Sequence, residues 1–100
     1  MLMEFTWYPY TEKMVSKAEK RWGVYKLAGH SKKVLFLGRG NVQKHLPKHL
    51  PGSKAEAEGV EFFCVEYYDT PEEAHAEWEE AMRDFEKKFD KYPKYNKPLE

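Results

Sequence analysis

The stretch GRGNVQKHLPKHLPG, residues 38–52, gathers side chains that can work on a phosphate or hold a metal. Arg39 follows Gly38 in a Gly-Arg-Gly turn, and two copies of His-Leu-Pro set His45 and His49 four residues apart in a chain with 4 histidines. Arginine brings a permanent charge on a forked donor, and an imidazole can donate to an anion or ligate a metal. The metal reading is the poorer one. Histidines at i and i+4 chelate together only from a regular helix, Pro47 between them removes a backbone N–H, and no third ligand stands close by, whereas zinc takes three or four. Two readings stay open: a phosphate-facing segment, or exposed loop histidines without a function.

Composition bounds the partners. The chain has 100 residues, 41% hydrophobic and 16% aromatic, enough for one core and too few for two. A single domain over residues 1–98 is expected, with Leu99-Glu100 read as a cloning scar. No apolar run approaches the length that spans a bilayer, and no secretory signal opens the sequence, so a soluble, cytoplasmic protein with no membrane partner is expected. Cys64 is the single cysteine, which rules out an internal disulfide and a thiolate zinc cluster. The formal net charge of zero hides an asymmetry: residues 1–50 hold ten Lys and Arg against three Glu, net +7, and residues 51–100 are net −7. The basic N-terminal half offers a field for DNA or RNA phosphates, or simply attracts the acidic half across the fold.

Local patterns supply the elements that must position these groups. Thr11 can cap a helix over 12–21, with Met14, Val15, Ala18 and Trp22 at helical spacing and Gly23 as its stop. GVYKLAG and KVLFLG, joined by a polar turn, predict an antiparallel hairpin of 23–28 with 34–38. Asn41 can cap a short helix that bends at Pro47. PGSKAEAEG, 51–59, reads as loop, and VEFFCVEYY, 60–68, as a third strand. Thr70-Pro71-Glu72-Glu73 is a capping-box start, and apolar residues from Ala74 to Tyr92 give one helix over about 71–91 ended by Pro93. The expected class is α+β: a small, mainly antiparallel three-stranded sheet flanked by helices.

The order of helix, GVY, FLG, GRGN, KHL, a third strand, an acidic helix and PKYN at 93–96 resembles the GIY-YIG nuclease superfamily from about Trp7 to Asn96. In that family a Gly-Ile/Val-Tyr strand lies beside a Tyr-Ile/Val-Gly strand; Gly23 and Tyr25 match the first, Phe36 and Gly38 the second. The resemblance implies cleavage of nucleic-acid phosphodiesters with one divalent cation, Mg²⁺ or Mn²⁺, and no organic cofactor. It implies that Tyr25 handles the proton of the attacking water, that a glutamate of the long helix ligates the metal, and that His45 and His49 stand where the family's arginine and histidine steady the phosphate. Glu79 is the best match for the glutamate and Glu80 the second.

The match departs from the pattern at two places. Phe36 lacks the second tyrosine's hydroxyl, and a neutral imidazole at His45 cannot fork onto phosphate as a guanidinium does. Arg39 could supply that charge. Losing one acid–base group costs about 10²–10⁴ in rate, so weak or absent cleavage is expected of a divergent, catalytically degenerate member that keeps nucleic-acid affinity. The alternatives are an active small endonuclease using Arg39 and His49, and a protein-interaction or small-ligand module without nucleic-acid function. Tyr25, Phe36, Arg39, His45, His49 and Glu79 are expected on one concave face, Asn96 in a structural tie, and Tyr67, Tyr68 and Trp78 in packing.

Overall fold

The computed structural model describes residues 6–50, 52 and 57–96; residues 99 and 100 and most of the 51–59 loop lie outside them. A four-stranded antiparallel sheet in the order β1-β4-β2-β3 is built from β1 (Tyr8–Pro9), β2 (Trp22–Ala28), β3 (Val34–Asn41) and β4 (Phe62–Tyr68). The class is α+β, with one strand more than the three expected. The extra strand, β1, is two residues long and includes a proline, too short to show alternation, and pairs with Phe62 and Phe63 of β4. Central β2 pairs Tyr25 with Gly38 on one side and with Val65 on the other, so the GVY and FLG segments lie side by side.

Among the described residues three helices flank the sheet: α1 (Glu12–Val15), α2 (Val42–His45) and α3 (Pro71–Phe89). Thr11 caps α1 by accepting from the Met14 amide, but α1 stops after one turn instead of running to 21. Ser16 Oγ donates to the Lys13 carbonyl, and Trp22 belongs to β2, where it is 42% exposed. Apolar residues here meet the core at a spacing that suits a helix without continuing one. Asn41 caps α2 through the Lys44 amide, and the chain then tightens into a 3₁₀ turn, Leu46–His49, where Pro47 forbids regular helix. Thr70 caps α3 by accepting from the Glu73 amide at 3.1 Å, Pro71 takes the first position, and Asp90 ends it in the left-handed conformation.

Side-chain alternation divides the sheet into two faces. Tyr25, Leu27 and Phe63 point to one, where Tyr10, Val15, Val42 and Leu46 complete a buried cluster under α1, α2 and the 3₁₀ turn. Val24, Leu37 and Cys64 point to the other, under α3. After α3 the chain returns along the free edge of β3: the Tyr95 amide donates to the Leu35 carbonyl at 3.0 Å, and Asn96 both accepts from the Leu37 amide and donates to its carbonyl. Asn96 thus makes the structural tie expected of it.

Candidate functional site

The motif glycines are where they are because nothing larger fits. A Cβ on Gly23 would meet the Glu66 carbonyl oxygen at 2.5 Å and Val42 Cγ2 at 2.8 Å, and one on Gly38 would collide with the Tyr25 ring. Tyr25 therefore lies flat over the FLG strand, 3% exposed, with Phe36 at 6.0 Å and His49 at 6.4 Å between ring centroids. Burial, and then the nearby Tyr10, pushes its phenol well above the usual range. At neutral pH it keeps its proton, and its hydroxyl is enclosed rather than presented to solvent water.

Phe36 does more than omit a hydroxyl, because its ring packs on the His49 imidazole at 4.5 Å and holds the 3₁₀ turn against β3. The imidazole of His45 lies against Gly40, whose φ of +121° lets the backbone pass beneath it. Burial first, then the charges of Lys48, Lys44, Arg39 and His49, lowers the pKa of His45. The segment is thus a cationic ridge carried by β3, α2 and the following turn, with a neutral imidazole in its middle. Arg39, although next to it in sequence, turns to the other face of β3, where its guanidinium lies 5.0 Å above the Trp78 ring of α3.

Glu79 is apart from this group. Tyr25 projects from one face of the sheet and α3, which carries Glu79, packs on the other. The convergence of all six residues on one concave face is therefore corrected: Tyr25, Phe36, His45 and His49 gather on the α1/α2 side, while Arg39, paired with Val24 and stacked on Trp78, lies with Glu79 on the α3 side. Sequence order and spacing cannot tell which face a helix covers, and alternation along β2 decides it. The carboxylate of Glu79 is engaged within its own helix, one oxygen by His75 Nε2 and the other by Arg83 at 3.6 Å. Glu80, the second candidate, lies on the flank of α3 toward β4. Among the described residues no group of three His, Cys, Asp or Glu side chains comes together to hold a metal. The carboxylate best matched to the divalent cation that the resemblance implies is thus paired with His75 and Arg83 of its own helix.

Sequence reading passed over Trp22, hidden in a helical stripe that the strand overrides, and over Lys26 and Glu66, which β4 and β2 bring under α3. For Glu66 the signal was available in the alternation of VEFFCVEYY, which sets it on the same face as Cys64. Among the described residues no helix is long and apolar enough to cross a membrane. A family model described as "Domain of unknown function (DUF7508)" matches residues 1–84. The chain belongs to the DUF7508 family. That match takes in all four strands, α1, α2 and most of α3 of this DUF7508 chain. No curated protein and no solved structure matches the chain.

Proposed function

We propose that this chain is a GIY-YIG-like domain that associates with DNA or RNA through the ridge of Arg39, Lys44 and Lys48 and does not cleave it efficiently. The observation that carries the reading is the set of cations around His45, whose protonation is depressed first by burial and then by the charges of Lys48, Lys44 and Arg39. Phosphates are the complement of such a ridge, and nothing on it resembles an element that reads base edges, so affinity comes from counterion release. Against cleavage stand the buried, protonated Tyr25, the absent hydroxyl at Phe36, and a Glu79 held by its own helix on the other side of the sheet.

Fluorescently labelled duplex and single-stranded oligonucleotides titrated at several salt concentrations test the association. Three phosphate contacts predict a slope of log K against log salt of roughly −3 on duplex DNA, lowered by about one with each of Lys44→Ala and Lys48→Ala. Binding that is constant from low to high salt would refute the ridge. Incubation of supercoiled plasmid with Mg²⁺ or Mn²⁺ tests the chemistry. The expected outcome is intact plasmid, whereas robust nicking that Glu79→Ala abolishes would restore the active endonuclease.

A further inference from the structure

The face of the sheet under α3 holds a cleft that nucleic-acid association leaves unused. Trp78 Nε1 donates to the Leu37 carbonyl of β3 at 2.9 Å and Met82 is fully buried, so α3 is anchored toward that strand. Toward β4 its small Ala81 leaves a cleft of about 410 Å³ floored by Val24, Leu37 and Cys64 and flanked by Phe85. This size falls among small-molecule sites, roughly 300–1,000 Å³.

Two features separate it from a packing gap. A helix-covered sheet face is ordinarily apolar, yet Lys26 and Glu66 both stand on this one, Lys26 paired with Cys64 and Glu66 with Val24. The charge is also biased: Glu66, Glu77, Glu80 and Asp84 line the cleft against Lys26 and Lys88. The bias is felt inside. The Tyr68 hydroxyl donates to Glu66 Oε2 at 2.5 Å, and burial followed by that bond and the charges of Glu66, Glu77 and Glu73 keeps the phenol protonated. An apolar floor under an excess of carboxylates complements a molecule with an apolar body and a positive end.

We propose that the cleft between α3 and β4 binds a small organic cation, an ammonium carried on an aromatic or alkyl body. The body lies over Val24, Cys64 and Phe85, and the ammonium meets the carboxylates of Glu77, Glu80 and Asp84. The site lies on the opposite face from Tyr25, and its charged rim, Glu77, Glu80 and Asp84, is apart from Arg39, Lys44 and Lys48.

The test is a titration of the isotope-labelled full chain with phenylpropylamine, phenylpropionate and phenylpropanol, followed by amide chemical shifts. Saturable shifts at Val24, Cys64 and Ala81 with the amine, and much weaker ones with the acid and the alcohol, are expected. Combining Glu80→Gln with Asp84→Asn, both at exposed positions, should weaken the amine roughly tenfold, the scale of a lost charge-assisted contact. Ala81→Phe fills the cleft without touching a charge and should abolish binding while the spectrum stays dispersed. Absence of saturable shifts with the amine, equal binding of the acid or alcohol, or unaltered binding by either variant overturns the proposal.

Discussion

Gly38 and Tyr25 show how a motif residue can be explained by packing alone. A methyl group at 38 has no room beside the phenol ring, so Gly38→Ala should destabilise the fold by about 1–3 kcal/mol, the usual range for overpacking, read as a lower urea midpoint. His45 gives a pH-dependent counterpart. In the unfolded chain its imidazole titrates near the ordinary value of about 6.5, and in the fold the value is lower because of burial and the surrounding cations. Between the two values the unfolded chain holds a proton that the folded chain refuses. The contribution of His45 is therefore complete above about pH 6.5 and falls away as the pH drops through the folded value. Thermal melts at a series of pH values should show this decline, and His45→Gln should flatten it. The caps at Thr11, Asn41 and Thr70 were legible in the sequence because each acts within three residues. The surroundings of Tyr25 were not, because they depend on which face of the sheet each element covers.

The same contrast holds for whole elements. The long helix was readable from its period and its capping residues, and β2 with β3 from their apolar runs, although the bulge at Leu27/Ala28 and the longer pairing to Asn41 were not. The first helix was overread because Met14, Val15 and Ala18 do face the core; after Val15 the backbone leaves the helix, and the Tyr67 hydroxyl accepts from the Glu19 amide. Asn96 is the clearest element-scale test. Its amide satisfies both main-chain groups of Leu37 on the edge strand, so Asn96→Ala should cost about 1–3 kcal/mol and speed hydrogen exchange at the Leu37 amide well beyond its effect on β4.

At the scale of the molecule, the two faces of one sheet carry different chemistry. One side carries Lys44 and Lys48 near an enclosed tyrosine, and the other carries Glu66, Glu77, Glu80 and Asp84 over an apolar floor together with Lys26, Lys88 and Arg39. An exposed ion pair, Arg21–Asp69 at 3.9 Å, links one residue of the basic half to one of the acidic half. The return of the chain along β3 also bears on self-association. Tyr95 and Asn96 take up hydrogen-bonding positions that a strand from another molecule would otherwise use. A chain cut at residue 84, where the family match ends, would lose this cover together with the last turn of α3. Its exposed β3 would become a template for edge-to-edge pairing, and size-exclusion chromatography should find dimers or larger species where the full chain elutes as a smaller one. The short tail therefore acts as an intramolecular competitor against aggregation.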